Sequence, residues 1–238
     1  MDQSVFETPA GQPVTAVTAD EMRAVDRVAV EEVGLELLQM MENAGRTLAE
    51  QVLSIADGPV LVVAGNGGNG GGGMACARHL VNHGTSVELV LDRQPGELSG
   101  IAAHQYRILE QMGVAVRVGA ATVADATAAA AVDALVGYGL SGAVREPANA
   151  MIRALNRQSA PVVSLDIPSG IDATTGEPPG VAVESELVVT LALPKTGLAN
   201  REESLVLADI SVPRAVYERL GVAYENPFDQ RWWVELRE

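Results

Sequence analysis

Short apolar, β-branched runs alternate with helical patterns along most of this sequence. The strand-like runs lie at residues 60–64, 86–91, 114–118, 132–137, 161–167, 186–193 and 205–212. Strands that are apolar on both faces belong to sheets whose two faces are covered, and helices between them supply the crossovers that parallel strands require. The alternation therefore predicts an α/β fold, a mostly parallel sheet with helices on both faces.

No repeat, low-complexity tract or linker divides the 238 residues, so one domain is predicted over residues 1–238. Residues 1–16 are expected to form a loose arm, residues 17–57 the leading helices, and residues 58–238 the doubly wound core. A capping box, Thr18-Ala-Asp-Glu21, marks the start of the first helix.

Two further segments carry weaker signals. The alanine-rich residues 121–131 are predicted to be helical. The tail, residues 226–238, holds both tryptophans of an aromatic-poor chain. It is expected either to pack on the domain or to contact a partner.

Residues 65–73, GNGGNGGGG, lie between a predicted strand and a predicted helix, and seven of these nine residues are glycines. A glycine-rich turn at this point lets a ligand approach bare backbone, and the following helix N-terminus favours an anionic group. The letters fit G-x-G-x-x-G, and Asp92 stands about where a dinucleotide fold places its ribose-binding acid. The alternative is a flexible turn without a ligand.

Acidic residues follow two other predicted strands. Asp133 precedes a second glycine-rich turn at residues 137–142, and Asp166, Ser169 and Asp172 lie in SLDIPSGID. A charge beside an apolar run is costly unless it is paired or liganded, which indicates a site. The alternative is that Asp133 and Asp166 only cap backbone amides. No Cys/His zinc pattern, G-x-S-x-G elbow or Walker lysine motif is present.

The charge balance excludes one class of partner. The net charge is −15, and Lys195 is the chain's one lysine beside fifteen arginines. Nucleic-acid binding needs a basic face, so it is not expected. A surface this acidic is typical of proteins in a high-salt cytoplasm, where screening removes self-repulsion. No membrane-length apolar run and no secretory signal is present, and a cytoplasmic location is predicted.

Five ordered motifs resemble the YjeF N-terminal domain family, the NAD(P)H-hydrate epimerases. The phrases MMENAG (40–45), GNGGNGGGG followed by ACARHL, DALVGYGL (133–140), DIPSG (166–170) and Pro194-Lys195 match the family in order and spacing from about residue 18 to residue 213. The resemblance implies a Rossmann-like three-layer sandwich that interconverts the R and S epimers of hydrated NADH and NADPH.

The resemblance also implies site residues, a cofactor and partners. A potassium ion is expected on Asn69, Asp133 and Ser169, whose oxygens suit a hard cation. Nucleotide contacts are expected from Gly68, Asn69, Gly70, Gly71, Gly72, Gly137, Tyr138, Gly139, Leu140, Ser141, Gly142, Ala143 and Asp166. Family members are often homodimers, and a separate dehydratase acts on the epimerase product.

One position departs from the family pattern. The family carries an aspartate, a candidate catalytic acid or base, where this chain has Gly72. Asp166 is then the carboxylate expected to carry catalysis, and Gly72→Asp is expected to raise turnover. The competing hypothesis is a catalytically impaired nucleotide-binding or scaffold relative. An ordinary dehydrogenase is disfavoured, because the chain lacks a substrate domain and DIPSG has no role there.

Overall fold

The computed structural model describes residues 4–238. The strands within that range are β1 (Ser4–Glu7), β2 (Pro13–Thr15), β3 (Val60–Ala64), β4 (Val87–Leu91), β5 (Ala115–Val118), β6 (Ala130–Ala134), β7 (Val162–Leu165), β8 (Leu187–Leu191), β9 (Ser204–Ala208) and β10 (Trp233–Leu236). The α-helices are α1 (Ala19–Arg27), α2 (Leu37–Ile55), α3 (Gly68–Asn82), α4 (Gly100–Gln111), α5 (Ala120–Asp125), α6 (Ala148–Leu155) and α7 (Arg214–Leu220).

Eight strands form one sheet in the order β10-β9-β8-β7-β6-β3-β4-β5. All neighbours in it are parallel except β10, which pairs antiparallel with β9. The chain runs outward from β3 to β5, returns to the other side of β3 as β6, and continues to β10. The order therefore reverses between β3 and β6, and the carboxyl ends of these strands are where ligands bind in such sheets.

Both faces of the sheet are covered, which confirms the predicted α/β fold. One face packs against α1, α2, α3, α4 and α7 through a core that includes Leu48, Val62 and Leu89. The other face packs against α5 and α6 around Leu61 and Ile152. The five residues of β3 are all buried, as expected of a strand covered on both sides.

The first helices also follow the sequence signals. Thr18 caps α1 in a capping box with Glu21, and a π-helical turn, Val28–Val33, extends α1 to Gly34. Gly34 adopts a left-handed φ of 81°, which ends this helical segment. Within residues 4–238, no helix combines the length and the apolar character needed to cross a bilayer.

The expectation of a loose arm is wrong for residues 4–16. There β1 and β2 form an antiparallel pair, and Phe6 and Val14 are 2% and 4% exposed. They pack with Leu205 and Leu207 of β9 in a third cluster of buried residues. This strand pair covers part of the face that carries α5 and α6. The first three residues of the predicted arm lie outside the described range.

Two other segments differ from expectation. The predicted helix at residues 121–131 is only partly correct, because α5 ends at Asp125 and residues 130–131 belong to β6. Alanine has a weak strand preference, but its small side chain suits a central strand packed closely against a helix. In the tail, Trp233–Leu236 forms the edge strand β10, so this part of the tail packs on the domain.

Candidate functional site

A cavity of about 440 Å³ lies at the reversal point between β3 and β6. This volume is within the range of small-molecule sites, roughly 300–1,000 Å³. The cavity is lined by Met22, Arg23, Asp26, Leu37, Met40, Met41, Gly67, Gly68, Asn69, Leu135, Val136, Gly137, Tyr138, Gly139, Asp166, Leu191, Lys195 and Ile210. Its walls thus combine an apolar methionine-rich side with a small set of polar groups.

The glycine run is mostly helix rather than loop. Helix α3 begins at Gly68, so its first-turn amides, which lack intrahelical acceptors, lie beside the cavity. Deeper in the run, a Cβ at Gly70 would lie 1.8 Å from the carbonyl oxygen of Gly65, and one at Gly73 would lie 2.4 Å from the Cβ of Ala134. These glycines let the helix pack against the chain's own strand ends.

Gly72 is similarly enclosed by protein. A Cβ there would lie 2.6 Å from Cδ2 of Leu165 and 3.6 Å from Sδ of Met41. Space beside bare backbone is therefore found at the start of the run, where Gly67 and Gly68 line the cavity, and a ligand there stays a prediction.

Asp166 and Lys195 form a buried ion pair at the floor of the cavity. Their side chains are 4% and 1% exposed, and Nζ of Lys195 contacts Oδ1 of Asp166. The ammonium also donates to the carbonyl oxygen of Leu191 at 2.9 Å. The other carboxylate oxygen of Asp166 accepts the backbone N–H of Tyr138 at 3.1 Å. A buried charge is stable only with such partners, and here each member of the pair compensates the charge of the other.

Two tight turns aim these groups. Asp166 has a φ of 69°, and Ile167 N donates to Leu165 O at 2.9 Å across it. Ala192, after the neighbouring strand β8, has a φ of 61° inside an equivalent turn. Such three-residue turns are rare and strained, and strain of about 1–3 kcal/mol per residue is typical of functional sites.

The segment before α1 fixes the lysine. Val17 N donates to Pro194 O, and Thr196 N donates to Val17 O, both at 2.9 Å. The start of α1 is thereby attached to the loop that carries Lys195, and α1 in turn lines the cavity.

Asp26 of α1 is a second carboxylate in this cavity. Its Oδ2 accepts a hydrogen bond from the hydroxyl of Tyr138, and the Nζ of Lys195 lies 5.7 Å from the centroid of the Tyr138 ring. Burial raises the pKa of Asp26, an effect that the Tyr138 hydrogen bond opposes. Burial and the nearby Asp26 raise the pKa of Tyr138, so its hydroxyl stays a donor.

Asp133 is fully buried at the end of β6, beside Ser169. Its Oδ1 accepts the Ser169 hydroxyl at 2.6 Å, and its Oδ2 accepts the Ser169 N–H at 2.8 Å and the Ser164 hydroxyl at 2.9 Å. Burial raises the pKa of Asp133 although these hydrogen bonds lower it. No ion pair reaches Asp133 within the described residues.

Asn69 reaches the same loop from α3. An ideal Cβ on Gly137 would lie 3.1 Å from Oδ1 of Asn69, and Val136 N donates to Oγ of Ser169 at 2.9 Å. The buried Nδ2 of Asn69 has no hydrogen-bond partner among residues 4–238. Asn69, Asp133 and Ser169 are therefore brought together around Val136 and Gly137, and the set contains a buried carboxyl group without an ion-pair partner and an amide N–H without an acceptor among the described residues.

The predicted nucleotide contacts divide into two groups. Gly68, Asn69, Gly137, Tyr138, Gly139 and Asp166 line the cavity, whereas Gly70, Gly71, Gly72, Leu140, Ser141, Gly142 and Ala143 do not. Gly70, Gly71 and Gly72 are buried in the packing of α3, and Ser141, Gly142 and Ala143 are exposed. The cavity lining therefore includes six of the thirteen predicted contact residues, and nucleotide contacts from the other seven stay a prediction.

Two functional candidates were missed from the sequence. Asp26 belongs to no motif, so the sequence indicates Asp166 as the one carboxylate near the reacting ring. Lys195 belongs to the Pro194-Lys195 motif, which by itself gives the side chain no chemical role. Its status as the chain's single lysine was an available signal, because a lone lysine that follows a buried strand is not part of a solvated surface.

Other parts of the described structure bring fewer kinds of polar group together in one cavity. A groove of about 810 Å³ lies near the amino ends of β8 and β9, and Glu184, Glu186, Glu202 and Glu203 are among its lining residues. Asp92 is buried and is held by both forks of the Arg93 guanidinium. Within residues 4–238, no cluster of three or more His, Cys, Asp or Glu side chains could hold a metal ion. Cys76 is fully buried.

Comparison with known proteins gives a consistent assignment. The family model described as "YjeF-related protein N-terminus" matches residues 37–197. The chain is 43% identical to an NAD(P)H-hydrate epimerase of Dehalogenimonas lykanthroporepellens, covering 97% of this chain and 96% of that protein. It is 37% identical to an NAD(P)H-hydrate epimerase of Weissella koreensis, covering 83% and 91% respectively.

Two further matches have different lengths or lower identity. A bifunctional NAD(P)H-hydrate repair enzyme of Salinibacter ruber is 38% identical over 89% of this chain, which spans 43% of that protein. The crystal structure of a yeast protein superposes with a TM-score of 0.80 at 23% identity, covering 93% of this chain and 100% of that one. The latter supports the fold alone.

Proposed function

The chain belongs to the family of YjeF-related N-terminal domains, and we propose that it epimerises the R and S forms of hydrated NADH and NADPH. This is an isomerase reaction of cofactor repair. The relatives that match this chain over nearly their whole length carry the epimerase name. The structural observation that most supports this proposal is the ion pair of Asp166 and Lys195, which is buried in a cavity beside the N-terminus of α3.

The cavity supplies the groups that this reaction needs. The unpaired amides at the start of α3 and the helix dipole suit the anionic pyrophosphate. The methionine-rich wall suits the apolar face of the damaged nicotinamide ring, since Met40 and Met41 are buried there. Asp166 supplies a carboxyl group at the ring, held in place by Lys195 and the Tyr138 amide.

We include a potassium ion in the proposal. The donor set of Asn69, Asp133 and Ser169 fits it, because carboxylate, hydroxyl and amide oxygens are the ligands of a hard monovalent cation. The fully buried Asp133 has no basic partner within the described residues, and a bound cation would compensate that charge. The ion would act by stabilising the loop around Gly137, which separates Asn69 from Asp166.

The wider assignments remain parts of the same proposal. A separate dehydratase acts on the product, the protein works in the cytoplasm, and it forms a homodimer. Nucleic acid and membranes are not partners. Each follows from the family or from the charge and apolar pattern of the sequence.

The test is a turnover assay with separated R and S epimers, run in potassium and in sodium at constant ionic strength. The proposal expects conversion of each epimer well above the spontaneous rate, with faster conversion in potassium. Asp166→Asn is expected to abolish turnover and to leave nucleotide binding nearly intact, because the amide keeps the size of the side chain but not the titrating group. If the wild type gives only the spontaneous rate, the alternative of a nucleotide-binding relative without catalysis is correct.

A further inference from the structure

Asp26 and Asp166 face the same cavity in different environments. Asp166 is paired with the Lys195 ammonium, whereas no ion pair reaches Asp26 among residues 4–238. Tyr138 connects the two acids, because its backbone N–H binds Asp166 and its hydroxyl binds Asp26. Tyr138 thus contacts both carboxyl groups. Two carboxyl groups in different environments can divide the roles of acid and base within one site.

The reaction at the proposed substrate needs both functions. The hydrated carbon carries the added hydroxyl and is bonded to the ring nitrogen. Inversion requires this C–O bond to break: the nitrogen electron pair forms a C=N bond while the hydroxyl accepts a proton and leaves as water. A water then adds to the opposite face of that carbon and gives up a proton, and the C=N electron pair returns to nitrogen. One group must donate a proton and another must accept one.

Building on the proposed epimerase function, we propose that Asp26 is the catalytic acid that protonates the departing hydroxyl, while Asp166 is the base that receives the proton of the incoming water. The opposite conversion uses the same two groups in reversed roles and restores their starting protonation states. Asp26 thereby fills the acid role that the family pattern gives to the position of Gly72, from a different element of the fold.

The charged surroundings of Asp26 agree with this division. Burial is the largest influence on its pKa and raises it, and the negative charge of Asp166 acts in the same direction. The Tyr138 hydrogen bond and the Lys195 charge lower it. Arg23 on its own helix and Tyr217 on α7 are the other titratable groups that interact with this network. An acid with a raised pKa keeps its proton to a higher pH, which a donor near neutrality requires.

The proposal is tested on the full chain with separated epimers, using Asp26→Asn and a matched control. The control is Asp125→Asn, an exposed aspartate at the end of α5, far from the cavity lining. We expect Asp26→Asn to lower kcat by about 10²- to 10⁴-fold, with nucleotide affinity within about threefold of wild type, and Asp125→Asn to leave both unchanged. Uptake of ¹⁸O from labelled water into the epimer pool should fall in parallel with kcat.

A pH profile separates catalysis from structure. In the conversion in which Asp26 donates the proton, the wild-type kcat should fall on the alkaline side as Asp26 loses its proton, and this limb should be absent from the residual activity of Asp26→Asn. Tyr138→Phe removes the hydrogen bond that lowers the pKa of Asp26, so its alkaline limb should move to higher pH. This second variant keeps the test decisive if Asp26→Asn folds poorly.

The outcomes distinguish the two proposals. A wild type without epimerase activity overturns both. An active wild type overturns the role of Asp26 alone if Asp26→Asn keeps kcat within threefold, if it changes only KM, or if the alkaline limb does not move in Tyr138→Phe.

Discussion

Four Gly→Ala substitutions measure what the glycine run contributes to packing. Gly96 is the control, because it lies in a 3₁₀ turn and a Cβ there would meet nothing within 4 Å. Its substitution should change the free energy of unfolding by at most about 0.5 kcal/mol. At Gly72 a Cβ would lie 2.6 Å from the tip of the Leu165 side chain. Overpacking of about 1–3 kcal/mol, less about 1 kcal/mol gained in helix propensity, gives a net cost of about 1 kcal/mol.

The other two positions meet atoms that cannot rotate away. At Gly73 the added atom would lie 2.4 Å from the Cβ of Ala134, so a backbone must move, and we expect a cost of about 2–3 kcal/mol. At Gly70 it would lie 1.8 Å from the carbonyl oxygen of Gly65. We expect this variant to lose more than about 4 kcal/mol, the range of exceptional single mutations, and to give little folded protein.

Urea unfolding followed by circular dichroism measures the series, and the folded yield serves for Gly70→Ala. Epimer KM is measured on every variant that folds. The packing argument requires the loss in free energy of unfolding to increase in the order Gly96, Gly72, Gly73, Gly70. The argument is refuted if the free energies of unfolding of the three α3 variants lie within about 0.5 kcal/mol of that of Gly96→Ala while their KM rises tenfold or more. The glycines would then be needed for the approach of a ligand.

Further outcomes follow from the same geometry. Gly72→Asp should lower the free energy of unfolding, measured in urea, instead of raising turnover as the family pattern predicts, because its carboxylate would enter the space of Leu165; higher turnover with unchanged stability would contradict this. Asp26→Asn should raise the melting temperature relative to wild type at pH values above the raised folded pKa of Asp26 but not in acid, because an acid whose folded pKa is raised contributes stability below its unfolded pKa and loses it as the pH rises through the folded pKa; a constant destabilisation would indicate a structural role. Ser169→Ala should remove any difference in melting temperature between potassium and sodium chloride at equal ionic strength, since it deletes the hydroxyl beside Asp133; a persisting difference would place the ion elsewhere. With a net charge of −15, the wild-type melting temperature should rise from low to molar sodium chloride, and a flat or falling curve would reject the high-salt hypothesis.

The core sheet was predictable because its strands are buried on both faces. Continuous runs such as the one in β3 leave few other folds, and each predicted core strand matches a strand of the sheet within a few residues. The segments that failed lack this pattern. Strands β1 and β2 have 4 and 3 residues, too short for an alternation to be recognised. The alanine-rich start of β6 was predicted to be helical, because alanine favours a helix locally and local propensity does not register the pairing of β6 with β3 and β7.

The site was predictable only in part, for a related reason. Asp133, Asp166 and Ser169 could be predicted because each lies within a sequence motif near the end of a strand. Asp26 contacts Tyr138 across 112 residues of sequence, and its helix reads as an ordinary amphipathic segment. Only the tertiary fold brings that helix to the cavity.

The molecule as a whole is strongly acidic, but its cavity contains groups that favour an anion. A net charge of −15 repels an anionic dinucleotide, but two basic side chains, Lys195 and Arg23, line the cavity. Lys195 is paired with Asp166, and the first-turn amides of α3 add the partial positive charge of a helix N-terminus. Backbone dipoles and a buried ammonium act at short range, where salt screens weakly, whereas repulsion from the acidic surface acts at longer range and is screened. The arrangement therefore lets a strongly acidic protein bind an anionic ligand, with the attraction fixed inside the cavity and the repulsion reduced by the surrounding salt.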